Sequence, residues 1–280
     1  MAYSMDLTKI TGKDLQAIKE AKTKMENLNW SVKAVNALGS TVEFTTKVIP
    51  EKALNKIQKG IENTLLGIIK ANLLTISKNK KLKKPSKRTY KLLITGSGAA
   101  SGFFGSTTGW GTAIFVTEMA MTTKFLMRSI MDIARSEGED IYSLEGQMQC
   151  LQVFAMGGKS IEDDETETGY YTSRAALSGL LKKTTASGIQ AVLETTAKSS
   201  AALGSKTLTK FISKIAARFS AMLTEKFVAE AIPIVGAVGG ATINYVFINH
   251  YQKMASAHFT LRRLERKYSE ALVKQTYESL

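Results

Sequence analysis

The sequence predicts an all-α protein, a single multi-helix domain with glycine-rich helical hairpins. Three observations predict it. Apolar residues recur at helical spacing in segment after segment, strand-type alternation is scarce with no repeated βαβ rhythm, and only three prolines interrupt 280 residues. An apolar content of 44 % is enough for a sizeable core and excludes a wholly disordered chain. One cysteine, Cys150, excludes a disulfide framework and a multi-cysteine zinc site.

The elements follow in order. Asp14 to Leu38 is rich in helix formers, with Ile18, Ala21, Met25 and Leu28 near helical spacing. Pro50 suits the first turn of a helix running to about Ile76, whose stripe is Leu54, Ile57, Ile61, Leu65, Ile68 and Ile69. A basic connector containing Pro85 follows, and residues 92–117 form an uncharged, glycine-rich stretch. Ala113 to Ser136 reads as a helix ended by Glu137-Gly138, and Leu144 to Met156 as a shorter one closed by Gly157-Gly158. After an acidic loop, Glu162 to Glu167, Tyr170 to Lys183 restarts a helix. Residues 184–210 are low in complexity and read as a small-residue helix or a connector. Phe211 to Ala231 is amphipathic, Pro233 to Gly240 interrupts, and Thr242 to Ser279 reads as one long terminal helix. The chain thus divides into a helical N-terminal region with a basic connector, residues 1–91, and a helical core, residues 92–280, in one continuous domain.

Charge is unevenly spread. Residues 1–100 carry 19 basic and 7 acidic groups, residues 101–170 carry 4 and 11, and residues 171–280 carry 15 and 6, for a net charge of +14. The densest run is Lys78, Lys80, Lys81, Lys83, Lys84, Lys87, Arg88 and Lys91, with no acid among them. Such a run is either a solvated face or an attractor of anionic lipid or nucleic acid. Nucleic acid is the weaker active reading, because only Tyr90 supplies a stacking aromatic inside the run. Met1 to Asp14 lacks the apolar core of a signal peptide, which with the lone thiol leads us to expect a cytosolic chain.

Three segments imitate catalytic motifs. Lys91 to Gly98, with Gly102 beyond, resembles a strand entering a dinucleotide-binding turn, but no helix-opening pattern or second strand with an acid follows. Gly157-Gly158-Lys159-Ser160 ends like a phosphate loop, yet Val153 stands where the first glycine belongs. His250 and His258 lie about 12 Å apart on one helix, too far to share a zinc. No metal or cofactor is therefore expected.

Gly98–Gly102 and Gly105–Gly109 have small-xxx-small spacing, and Gly236, Gly239 and Gly240 form a second set. Both sets sit in the least charged stretches, 92–117 and 231–249, each close to or above the ~20 residues that span a bilayer. They read as a buried hairpin, as a hairpin that docks onto or partly enters a membrane, or as spanning segments. Polar stripes accompany them. Glu118, Thr122, Phe125, Ser129 and Asp132 share a helix face, Arg128 and Asp132 are an i, i+4 pair, and Asn244, Tyr251, His258 and Arg262 share another face. Such stripes are a satisfied internal network or a polar pocket, and the network is favoured because buried polar groups find partners.

At these residues a family resemblance emerges. Thr117 to Thr123 (TEMAMTT), Arg128-Ser129-Ile130, Ile133-Ala134, Glu137-Gly138-Glu139-Asp140, Leu151 to Gly158 (LQVFAMGG) and Thr168 to Arg174 (TGYYTSR) resemble the EcsC protein family. So do Ile232 to Ala241 (IPIVGAVGGA), Asn244, Phe247, His250, His258-Phe259, Arg262 to Arg266 (RRLER) and Tyr268. Together they cover about residues 95–277. The family's frequent proline near Met119–Met121 is missing. The resemblance implies a bacterial helical protein associated with membranes, with a transporter among its candidate partners. It carries no agreed catalytic residues, so none passes to this chain.

The resulting expectation is a non-enzymatic binding or accessory protein, peripheral to the inner face of the cytoplasmic membrane or integral to it. Lys78 to Lys91 would contact anionic lipid or a membrane protein. Glu118, Arg128, Asp132, Asn244, His258 and Arg262 would hold the core or line a pocket. The alternative is a hydrolase or lipid-modifying enzyme using Glu118, Asp132, His258 and Arg262. An enzyme requires those side chains to meet in one open pocket.

Overall fold

The computed structural model describes residues 9–26, 58–65, 67–68, 85–104, 113–156, 170–172, 174–175, 206–230 and 236–280. Seven long helices lie among them: α1 (Gly12–Glu26), α2 (Lys87–Phe104), α3 (Ala113–Ser136), α4 (Leu144–Ala155), α5 (Lys206–Glu230), α6 (Gly236–Lys267) and α7 (Glu270–Ser279). The short runs 58–65 and 170–172 are also helical, and no strand occurs among the described residues. The all-α expectation holds.

The 32-residue α6 touches each of the other six long helices. Most of its circumference is buried, through Ile243, Phe247, Ile248, Tyr251, Met254, Ala255, Phe259, Leu261 and Leu264, while one stripe with Tyr245, Asn249, Lys253, Ser256, Thr260 and Arg263 faces outward. A helix with so wide a buried face needs neighbours on several sides. At its middle, α4, α5 and α6 meet through aromatic edges, with Phe154 and Phe219 centroids 4.5 Å apart and Phe219 and Tyr251 5.6 Å apart. The predicted apolar positions Ile18, Ala21 and Met25 of α1, and Ile61, Leu65 and Ile68 of the second stripe, are buried.

Hydrogen bonds set the helix directions. Ser129 accepts from Gln252, Glu137 from Thr260 and Glu139 from Arg262, each pair 123 residues apart in sequence. A constant offset means that α3 and the turn after it run parallel to α6. Along α2, Lys87 meets Ser256, Lys91 meets Asn249 and Ile94 meets Asn244, so α2 runs antiparallel to α6.

Several sequence expectations change. The second half of the basic run is not connector: α2 starts at Lys87, two residues after Pro85. Lysine and arginine are good helix formers, and Lys87, Tyr90, Lys91 and Ile94 share the face that meets α3 and α6. Gly96, Gly98 and Gly102 lie inside α2, which also excludes the strand of a dinucleotide-binding turn. A Cβ at Gly96 would meet open space, so close packing does not require that glycine. Gly236, Gly239 and Gly240 open α6 rather than interrupting it. The hairpin turns expected in both stretches fall outside the described residues. The terminal helix breaks at Tyr268-Ser269, where the Ser269 hydroxyl accepts from Leu272 N–H and caps α7. α5 begins at Lys206, inside the low-complexity segment.

The turn from α3 to α4 is built by two glycines. Gly138 has φ +81° and ends α3, with Gly138 N–H donating to Arg135 C=O and Glu139 N–H to Ala134 C=O. At the start of α4, Ser143 Oγ accepts from Gly146 N–H at 3.0 Å and donates to Asp140 C=O at 2.7 Å. A Cβ on Gly146 would lie 2.0 Å from that Asp140 oxygen. Backbone cannot yield as a side-chain tip can, so Gly146→Ala is expected to cost about 1–3 kcal/mol in urea unfolding. An unchanged midpoint would show that this contact does not constrain the turn.

Candidate functional site

Polar side chains buried along α6 fall into three groups. The first joins α2, α3 and α6. Tyr90 O–H donates to Asp132 at 2.8 Å, and Arg128 Nε donates to the same hydroxyl at 3.2 Å. Burial and the Asp132 carboxylate push the Tyr90 phenol up to about 12. Gln252 donates to Ser129 Oγ and to the Lys87 carbonyl, both at 3.0 Å. Asn244 Nδ2 donates to the Ile94 carbonyl at 2.9 Å.

The second group surrounds His258. Its Nδ1 shares a 2.8 Å hydrogen bond with the Tyr170 hydroxyl. Arg174 donates to Tyr170 and forms a 2.5 Å ion pair with Glu265, which also accepts from Tyr171 O–H. Tyr277 of α7 packs edge-on against Tyr171, centroids 5.3 Å apart. Burial, then the Arg174 and Arg262 charges, hold His258 well below its ordinary 6.5, so the imidazole is neutral.

The third group clamps the end of α6 to the α3–α4 turn. Arg262 grips Glu139 with two bonds, at 3.0 and 2.7 Å, and donates to Glu145 at 2.7 Å. Arg266 also pairs with Glu139, and Arg263 pairs with Glu137. Burial alone would raise the Glu139 pKa, but the Arg262 and Arg266 guanidiniums outweigh it and hold the carboxyl below 4.5.

Asp132, His258 and Arg262 therefore belong to three different partner sets rather than one pocket. Asn244 Oδ1 and His258 Nε2 lack a partner among the described residues, but they sit about 21 Å apart along α6 and share no site. The Glu118 side chain and residues Lys78, Lys80, Lys81, Lys83 and Lys84 lie outside the described residues. Among the described residues, no three His, Cys, Asp or Glu side chains gather as a metal set.

The edge where α2 meets α6, and the solvent face beside it, differ. Lys87 Nζ donates to Ser256 Oγ at 2.6 Å, and Lys91 Nζ to Asn249 Oδ1 at 2.7 Å while lying over the Tyr245 ring. These acceptors are neutral, so they orient both cations without cancelling their charge. Burial draws the Lys87 pKa down. Arg88 is exposed, and one turn on stand Leu92, 75 % exposed, and Leu93, 44 % exposed. Tyr245 and Met121 are 47 % and 43 % exposed.

The model of the EcsC protein family matches residues 12–264. The chain belongs to the EcsC family. Neither curated proteins nor solved structures yield a match. The family match includes α1, ahead of the segments that carried the resemblance. In this EcsC protein the EGED segment supplies Glu137 and Glu139, the RRLER segment supplies Arg262, Arg263, Glu265 and Arg266, and TGYYTSR supplies Tyr170, Tyr171 and Arg174. Most of the family-like charged segments thus meet one another. Sequence reading singled out Arg262 and His258 but missed Glu139, Glu265, Tyr170 and Arg174 as their partners. The one available signal was three acids in the first segment facing three arginines in the last.

Two measurements test these groups. Arg262 and Glu139 are both more than nine-tenths buried, so Arg262→Met or Glu139→Gln alone is expected to cost about 3–5 kcal/mol. The double replacement by methionine is expected to cost less than the sum, and strict additivity in a double-mutant cycle would refute the coupling. For His258, the unfolded chain takes up a proton below about pH 6.5 that the folded chain refuses. Stability should then fall with pH below that point, by up to about 1.4 kcal/mol per unit. His258→Gln should flatten this slope between pH 6.5 and 5, and equal slopes in both proteins would contradict a neutral buried imidazole.

Proposed function

We propose that this EcsC-family protein is a non-enzymatic accessory protein that binds an anionic membrane surface, on the cytoplasmic face where such lipid is concentrated. The observation that carries this reading is the exposed side of α2, where Arg88, Leu92 and Leu93 stand in solvent beside the partly buried Lys87 and Lys91, whose ammonium groups bond to the neutral Ser256 and Asn249. Cations beside apolar side chains suit the boundary between phosphates and acyl chains. The rest of the basic run, Lys78 to Lys84, precedes this helix directly and adds to the same attraction. A membrane protein, such as a transporter, is the other partner of matching chemistry. The hydrolase alternative has lost its support, because Asp132, His258 and Arg262 are engaged in separate groups.

The test is flotation of the purified protein with neutral vesicles and with vesicles of ~30 mol % anionic lipid, followed by high-salt and alkaline carbonate washes. Binding is expected only with anionic lipid. Arg88→Glu is expected to weaken it by about 2 kcal/mol, at about 1 kcal/mol per unit of charge. Failure to float with either vesicle sinks the proposal and turns attention to partner proteins and nucleic acid.

A further inference from the structure

The outward stripe of α6 follows a seam with α2, and cations from three helices meet along it. Asn249 and Ser256 lie two turns apart on one face of α6, about 10 Å along its axis. Lys91 Nζ donates to Asn249 Oδ1 at 2.7 Å and Lys87 Nζ to Ser256 Oγ at 2.6 Å, so the two ammonium groups are held at about that spacing. Exposed Lys253 stands between them on the same face, four residues after Asn249 and three before Ser256. Lys24 joins from α1. Lys267 and Tyr268 hold Asp14 at the C-terminal end of α6, and ten residues on Lys24 comes close enough to repel Lys87, so α1 runs antiparallel to α6 and ends at the seam.

Little negative charge offsets this group among the described residues. The acid that acts on Lys87 is Glu137, and Arg263 already pairs with it at 2.8 Å. Glu20 lies 3.8 Å from Lys24, one turn back on exposed α1. The residues one turn either side of Lys253 on α6 are Asn249, His250, Ser256 and Ala257, none of them acidic. Burial and the Lys24 and Lys91 charges together draw the Lys87 pKa down despite Glu137. A bound anion relieves that repulsion. Each tethered ammonium spends one of its three protons on its neutral oxygen and keeps two for a further acceptor.

The spacing selects among anions. A phosphate accepts from an ammonium at ~2.8 Å and is ~2.5 Å across, so a single phosphate bridges only ~8 Å and cannot touch both Lys87 and Lys91. Two phosphates on a short linker can, with Lys253 between them. Apolar surface adjoins the Lys91 end. Exposed Leu92 follows Lys91 on α2, and exposed Tyr245 carries the Lys91 ammonium over its ring. A headgroup in the seam thus has side chains beside it that suit acyl carbon.

We propose that the α2–α6 seam is a headgroup site for an anionic lipid that carries two phosphates, with Lys91 and Lys87 each taking one and Lys253 lying between them. The proposal rests on the membrane reading above and adds which headgroup is preferred and where it sits. Flotation with vesicles of ~15 mol % diphosphatidylglycerol is compared with vesicles of ~30 mol % phosphatidylglycerol, which carry the same phosphate charge. Half-maximal binding is expected at about fivefold less total lipid with the two-phosphate headgroup, because the lysines are already placed for it. Lys253→Gln is expected to cancel that preference while weakening binding to phosphatidylglycerol by no more than about fivefold, the effect of one lysine near such a surface. Lys274→Gln on α7 removes the same charge at another exposed position and should leave the preference intact.

Equal binding to the two vesicles overturns the two-phosphate site and leaves general electrostatic adsorption. A preference unaltered in Lys253→Gln, at unchanged helical content, overturns the placement in this seam. Binding of the free deacylated headgroup as tightly as the vesicles overturns a lipid as the ligand. Absence of binding to either vesicle overturns the membrane reading itself.

Discussion

The structure depends on burying most of the circumference of a 32-residue helix whose buried face carries polar groups among the apolar ones. Buried polar atoms without partners cost roughly 1–3 kcal/mol each, so α6 needs hydrogen-bonding neighbours as well as apolar ones. The partners come from different elements: α2 for Asn244 and Asn249, α3 for Gln252, the 170–175 segment for His258, and the α3–α4 turn for Arg262. Each bond fixes the height at which its element meets α6. The constant 123-residue offset records this, because the three pairs share one register from Ser129 to Glu139.

The strongest of these attachments is ionic. Arg262, Arg263 and Arg266 occupy a little over one turn of α6, and the turn after α3 presents Glu137 and Glu139 to them. Gly138 makes the encounter possible, since its left-handed backbone lets two acids flank one bend and face the same helix. Between them, on the same turn, Glu265 holds Arg174 and Tyr171, which brings these residues and Tyr277 of α7 onto α6. Here charge is matched and mostly dry. Such groups specify the position of the elements that they join.

Away from this clamp the balance reverses. Lys87 and Lys91 bond to the neutral Ser256 and Asn249, and Arg88 is exposed, so these cations are not tied up in ion pairs as the arginines of the clamp are. Beyond them, residues 92–104 of α2 and 236–249 of α6 carry no charged side chain. Paired charge at the clamp and cations on neutral acceptors along α2 thus occupy different parts of the fold.

The sequence by itself determined the all-α class, the family, the apolar stripes of α1 and of residues 58–68, and the core of α3 and α4, because helical periodicity and glycine stops are local signals. It misread the start of α2 as connector and the start of α6 as an interruption. Lysine density and glycine content argue locally against helix, and burial against neighbouring helices overrides them. It marked Asp132, His258 and Arg262 as polar residues on apolar faces but left open whether they meet. Only the tertiary structure decided that: Tyr90, Tyr170 and Glu139, 42, 88 and 123 residues away, take them into separate groups. The same long-range register set Lys87 and Lys91 against Ser256 and Asn249, which no local pattern encodes because the placement depends on which residues of distant helices bond to one another.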